Sequence, residues 1–152
     1  DTKNFTMRTG GRTFEAAAFL RRSGADTAEV KKLFQNDLED TIAKYSIIQN
    51  AHLYREHIAV AVSAKPVGRV IAAQAADELL NIIGIDASFV LAPDGDTVNI
   101  SARSMGDVNV QVVLEALGGG GNAAAAGGQV TGKSIEDVAR ELMQAIDQYL
   151  EG

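Results

Sequence analysis

Gly118-Gly119-Gly120-Gly121-Asn122-Ala123-Ala124-Ala125-Ala126-Gly127-Gly128 is the stretch on which the reading of this chain turns, because ten of its eleven residues carry nothing larger than a methyl group. Such a segment adds little to a core and loses much backbone entropy when it orders. Its benefit would be close approach, since backbone N–H groups can gather around an anion where a side chain would stand in the way. Two readings stand side by side: a loop that accommodates phosphate, and a flexible linker. Just upstream, Asn99-Ile100-Ser101-Ala102-Arg103-Ser104 puts an arginine at the end of a predicted strand. A guanidinium binds phosphate oxygens in pairs, so Arg103 beside the glycines is a candidate phosphate contact; the alternative is an ordinary surface arginine at a strand end.

The segments around this pair read as an α/β unit. His57–Ser63 is a run of small and β-branched residues suited to a buried strand, broken by Lys65-Pro66-Val67-Gly68. Arg69–Ile83 reads as a helix with Ile71, Ala75, Leu79 and Ile82 at helical spacing and Gly84 as its stop. Ser88–Leu91 and Thr97–Arg103 flank the turn Ala92-Pro93-Asp94-Gly95-Asp96 and suggest a hairpin. Asp107–Leu117 fits both periods; Asp107 as N-cap and Gly118 as C-cap favour a helix. Ser134-Ile135-Glu136-Asp137 is a capping box opening an amphipathic helix with Ile135, Val138, Leu142, Ile146 and Tyr149 on one face. Residues 57–152 are therefore expected to form one α/β domain of about four strands and three or four helices.

Before His57 the pattern is helical throughout. Thr13–Arg22 and a segment opening at Asp26 (Glu29 as its capping partner, Val30, Leu33 and Phe34 on one face) predict short helices. Asp37 to about Tyr54 predicts a longer one, with Leu38, Ile42, Tyr45, Ile48 and Leu53 in a stripe. The apolar stripes of residues 11–55 predict self-association, with a homodimer expected. His52 and His57 fall at the exit of the long helix and read as surface or capping residues. Lys31-Lys32 and Arg21-Arg22 read as solvated helix faces.

The bulk properties narrow the function. With 152 residues, 46% of them hydrophobic, the chain is long enough for one real core. A net charge of −6 argues against a broad grip on long nucleic acid but not against a small nucleotide held locally. The chain has no cysteine, which excludes disulfides and thiolate metal sites. No apolar run approaches the roughly 20 residues that span a bilayer, so no membrane contact is expected and a cytoplasmic domain is. The chain opens at Asp1 in a motif-like polar segment and reads as a piece of a longer protein.

Three phrases together resemble one family. Asp1-Thr2-Lys3-Asn4-Phe5 with Arg8-Thr9 is similar to the last motif of DHH-type phosphoesterases. Ser101-Ala102-Arg103-Ser104 followed by Gly118-Gly119-Gly120-Gly121 resembles their C-terminal DHH-associated substrate-binding domain. Gly106-Asp107-Val108-Asn109-Val110 and Leu114-Glu115-Ala116-Leu117 look most like the branch in which a degenerate GGDEF domain precedes the DHH domain, the bacterial cyclic-di-AMP phosphodiesterases. The resemblance implies a mixed-sheet DHH-associated domain over 57–152, a connector helix over 37–56 and a remnant of the DHH domain over 1–36.

It implies further that the parent hydrolyses cyclic-di-AMP to a linear dinucleotide with two manganese ions, Asp1 matching the final metal-binding aspartate. A lone carboxylate holds such ions weakly, so this chain by itself is expected to hold none and to be catalytically inactive. Arg103, Ser104, Gly118, Gly119, Gly120, Gly121 and Asn122 match the family's substrate-binding positions, with Ser101 as a further hydroxyl. Asn122 departs from the family, which normally has histidine there; asparagine can donate a hydrogen bond but carries no charge. The expected partners are a cyclic dinucleotide or short oligonucleotide and the missing DHH domain. Two alternatives remain: a short-oligoribonucleotide or pAp phosphatase of the same superfamily, and a non-catalytic nucleotide-binding or dimerisation module.

Overall fold

The computed structural model describes residues 38–152; the short helices expected before Asp37, and Asp1 itself, lie outside the described residues. The mixed α/β fold expected from the sequence is what the structure shows. In chain order its elements are α1 (Leu38–Gln49), β1 (His52–Tyr54), β2 (Ile58–Val62), α2 (Arg69–Leu80), β3 (Ala87–Asp94), β4 (Thr97–Ser104), α3 (Val110–Glu115), β5 (Gly120–Gly121), β6 (Ala125–Thr131) and α4 (Ile135–Glu151). The six strands form one sheet in the order β1-β2-β3-β4-β6-β5. Only β2 and β3 are parallel, joined through α2; every other neighbouring pair is antiparallel. Among the described residues no helix is long and apolar enough to cross a membrane.

The strands alternate between two cores, as a period of two requires. On one face Ile58, Val60, Phe89, Leu91, Val98 and Ile100 pack against Val110, Val113 and Leu114 of α3 and Val138, Leu142 and Ile146 of α4. On the other, Ala59, Ala61, Val90 and Ala92 meet Ala72, Ala75, Ala76 and Leu79 of α2 and Ile47 of α1. The facing strands and α2 meet there mostly through alanine, so α2 lies close to the sheet. Ser134 caps α4 as the sequence predicts, its hydroxyl accepting from the Asp137 N–H at 3.1 Å.

Three elements differ from expectation, each for a tertiary reason. The first helix stops at Gln49, and His52–Tyr54 pairs as a strand with Ile58–Val60. The turn between them places Arg55 and Glu56 at φ 58° and 69°, a region that side chains other than glycine enter at a cost of about 1–2 kcal/mol. No glycine or asparagine marks the turn; it is secured from outside, by Arg55 Nη2 at 2.9 Å from Asp147 Oδ1 of α4 and by the Tyr54 hydroxyl donating to the same carboxylate at 2.7 Å. The third helix begins at Val110 with Asn109, not Asp107, as its cap. Val108 and Val110 are both buried, and the chain bends through residues 105–108 before Asn109, itself extended, starts the helix. Finally, most of the expected glycine loop is sheet: β5 and β6 run through Gly120–Gly121 and Ala125–Gly128.

The Tyr54 hydrogen bond, with Arg55 assisting, holds the Asp147 carboxyl below its ordinary value of 3.8, and the same bond raises the Tyr54 hydroxyl above 10.0. A carboxyl depressed in the folded state stabilises the fold above its unfolded-state pKa and loses that contribution as pH falls through the folded value. Tyr54→Phe should therefore lower the melting temperature most near neutrality, with the gap to the unsubstituted chain closing below about pH 4. Thermal melts across pH 2–8 measure this, and a gap unchanged at the acid end would contradict it.

Candidate functional site

A hollow of about 960 Å³ opens on the α2 side of the sheet. It exists because α2 covers β3 and β4 while β6 and β5 extend beyond it, and because the strands there have almost no side chains to fill the space. Side chains of β4 alternate, so Asn99, Ser101 and Arg103 share this face while Val98, Ile100 and Ala102 enter the opposite core. Opposite Ser101 and Arg103 in register stand Gly127 and Ala125 of β6. The floor is thus glycine, a methyl and a hydroxymethyl.

Arg103 sits in the wall of this hollow, where β4 ends. Its Nε donates to Asp77 Oδ1 of α2 at 3.0 Å and its Nη1 to the Ala102 carbonyl at 2.8 Å. The arginine side chain is 17% exposed and Asp77's 27%, so the pair is fixed yet reachable. Nη2 has no partner among the described residues, which leaves one amino group of the fork to meet an anion. The Ser101 hydroxyl likewise has none, on a residue only 8% exposed that lines the same space.

The glycines divide into two kinds. A Cβ on Gly119 would overlap the Gly127 carbonyl oxygen, and one on Gly121 the Ala125 carbonyl oxygen. These two residues are glycine because β5 lies backbone against backbone on β6. A Cβ on Gly120 would meet nothing within 4 Å. The expectation of a nest of free amides also needs correcting: the N–H of Gly118 donates to Glu115, that of Gly119 to Leu114 and that of Asn122 to Ala125, at 2.8–3.1 Å. What the glycines supply to the hollow is chiefly room.

Of the residues singled out in the sequence, Arg103 and Gly118 through Gly121 line the hollow together, with Ser101. Ser104 and Asn122 do not. Ser104 points to the other face, where its hydroxyl accepts from the Gly106 N–H at 3.0 Å. Asn122 is exposed, and its side-chain oxygen accepts from the N–H groups of Ala124 and Ala125, both at 2.9 Å. It closes the β5–β6 turn, a task for which asparagine is well suited. Sequence reasoning passed over Arg69, Val70, Ala73, Asn99 and Gln129, which also line the hollow. The pairing of Asn99 with Gln129 across β4 and β6 could have been sought, but nothing local marks a helix residue such as Arg69 as facing a cavity.

Among the described residues no three His, Asp or Glu side chains converge on a point where an ion could sit. This part of the chain therefore does not fit the manganese pair that the resemblance implies, and Asp1 lies outside it.

A family model described as the DHHA1 domain matches residues 55–152. Over its whole length the chain is 45% identical to the cyclic-di-AMP phosphodiesterase GdpP of Bacillus subtilis (strain 168) and 44% identical to the cyclic-di-AMP phosphodiesterase PdeA of Listeria monocytogenes serotype 1/2a. It spans 24% of the length of each of these relatives. Among solved structures it is similar to an exopolyphosphatase-related protein from Bacteroides fragilis, at a TM-score of 0.67 and 19% identity over 91% of this chain and 43% of that one. A pGpG-specific phosphodiesterase, PggH from Vibrio, superposes at 0.53 with 15% identity over 93% of this chain and 52% of that one. At these identities the two structures show the fold alone.

The two kinds of glycine make a stability prediction. Gly119→Ala should destabilise the chain by about 1–3 kcal/mol through overpacking against β6, whereas Gly120→Ala should stay within about 0.5 kcal/mol of the parent chain. Urea unfolding of both variants checks this; equal losses would mean that the glycine run is uniformly structural.

Proposed function

This chain belongs to the DHHA1 domain family, and from that premise we propose that it is the substrate-holding part of a cyclic-di-AMP phosphodiesterase. The observation that carries the proposal is the placing of Arg103, with one amino group unspent, at the wall of a hollow floored by Ser101, Ala125 and Gly127. The identity of 44–45% to two cyclic-di-AMP phosphodiesterases supports the choice of ligand within the family.

In this reading the chain's own residues bind and orient. The Arg103 guanidinium, held by Asp77, takes an oxygen of the phosphodiester, and a charge-assisted hydrogen bond in a partly desolvated cleft is roughly twice as strong as a neutral one. Asp77 fixes the direction of the fork, so little side-chain entropy is lost when the ligand arrives. The Ser101 hydroxyl adds a second contact. The absence of side chains at Gly120 and Gly127 leaves space for sugar and base. The chain's overall negative charge makes the grip local, so a single guanidinium carries much of the attraction. Hydrolysis, with the manganese that the resemblance implies, belongs to the remainder of the longer parent.

Calorimetric titration of cyclic-di-AMP into the chain tests the binding role. Arg103→Ala should weaken binding by about tenfold or more, and the affinity of the unsubstituted chain should fall as salt is raised. Equal affinities for the two proteins would remove Arg103 from the site and with it the proposal.

A further inference from the structure

Where β2 and β3 meet α2, the sheet is apolar except at one residue. Ala59, Ala61, Val90 and Ala92 face the helix, and Ser88 stands among them with no exposure to solvent. Alanine would occupy nearly the same space and bring no hydroxyl to be desolvated. The hydroxyl is used: it donates to the Ala76 carbonyl of α2 at 2.7 Å. That carbonyl also accepts the N–H four residues on, as in any α-helix. Ser88 therefore adds a bond that α2 does not need for its own pairing.

Its position gives that bond a purpose. Ser88 is directly opposite Arg103 in the β3–β4 register, and both side chains reach α2. Ala76 precedes Asp77, whose carboxylate takes the Arg103 Nε at 3.0 Å. Neighbouring strands thus grip consecutive residues of the helix, and among the described residues these are the polar ties from the sheet to α2. The ion pair of Glu78 with Lys44, at 3.6 Å, runs to α1 instead. Alanine packing does not supply a substitute. It is non-directional, and methyl groups make a shallow surface along which a helix can shift. A shift of about 1 Å, less than the rise of one helical residue, is enough to break the Asp77–Arg103 hydrogen bond.

We propose that Ser88 is a positioning residue for Arg103. Its hydroxyl fixes where α2 lies on the sheet, so that Asp77 stands level with the guanidinium and holds its direction. The consequence for ligand affinity rests on the reading that Arg103 takes a phosphodiester oxygen; the hold on Arg103 itself does not.

Two measurements on the 152-residue chain test this. Removing the hydroxyl orphans no buried group, because the Ala76 carbonyl keeps its helical partner, so Ser88→Ala folds. The first measurement is solvent exchange of the Arg103 Nε–H in nitrogen–proton correlation spectra without ligand, the signal being identified by its loss in Arg103→Lys. It should exchange slowly in the unsubstituted chain, being hydrogen-bonded on a side chain 17% exposed. Ser88→Ala should speed the exchange about tenfold, and Asp77→Ala at least as much. A rate unchanged by Ser88→Ala overturns the proposal, as does fast exchange in the unsubstituted chain. The second is calorimetry with cyclic-di-AMP. Ser88→Ala should weaken binding about fivefold by itself, but by less than about twofold in a chain already carrying Asp77→Ala. Equal losses in both backgrounds overturn the proposal, because the hydroxyl would then act apart from Asp77. Affinity unchanged by Ser88→Ala while Arg103→Ala weakens binding overturns it too. If Arg103→Ala leaves the affinity unchanged, or the chain binds no cyclic-di-AMP, the phosphodiester reading falls, and the exchange rates alone decide the hold of Ser88 on Arg103.

Discussion

The contact of β5 on β6 is the constraint from which the rest of the site follows. At Gly119 and Gly121 the two backbones meet with no space for a Cβ. β6 pairs with β4 over seven residues, and β5, lying this close, extends the sheet past it. The sheet thereby reaches beyond the edge of α2, and the uncovered part becomes a floor. A bulkier sequence could have formed the same hydrogen bonds only by moving β5 away, and its side chains would have filled the space above Gly127.

The opposite faces of the sheet show how one pattern serves two purposes. Large residues of β2, β3 and β4 enter the α3–α4 side, where Phe89, Leu91, Leu114, Leu142 and Ile146 are fully buried; burying each such side chain contributes about 1.5–3 kcal/mol. That side carries most of the stability. The alanine-rich side carries less apolar area but lets α2 approach closely enough for Asp77 to reach Arg103 across the gap. An arginine on the surface of a strand would be mobile and well hydrated. Here it is clamped by a carboxylate and a carbonyl at the wall of the cavity, which fixes the direction of its guanidinium.

The relation to longer relatives gives this arrangement its place. The chain spans about a quarter of the cyclic-di-AMP phosphodiesterases to which it is similar, and among the described residues none gather to hold a metal. The closeness of its fold to an exopolyphosphatase-related protein at only 19% identity shows how far the architecture tolerates sequence change.

Several features were legible in the sequence because their causes are local or periodic. The capping box at Ser134, the amphipathic α4 and the hairpin turn at Gly95 all rest on residues within a few positions of one another. The turn at Arg55–Glu56 was not legible, since its positive φ angles are secured by Asp147, more than ninety residues away. Nor was β6: alanine and glycine have low strand propensity, and only pairing with β4 makes them a strand. The sequence by itself determined that an arginine-bearing strand is followed by a stretch without side chains; that the two lie side by side was decided by the β4–β6 pairing. Which glycines are needed for packing, which leave space, and that Arg69 and Asn99 face the same hollow were decided by tertiary structure, because those facts depend on how a helix and a strand distant in sequence come to lie side by side.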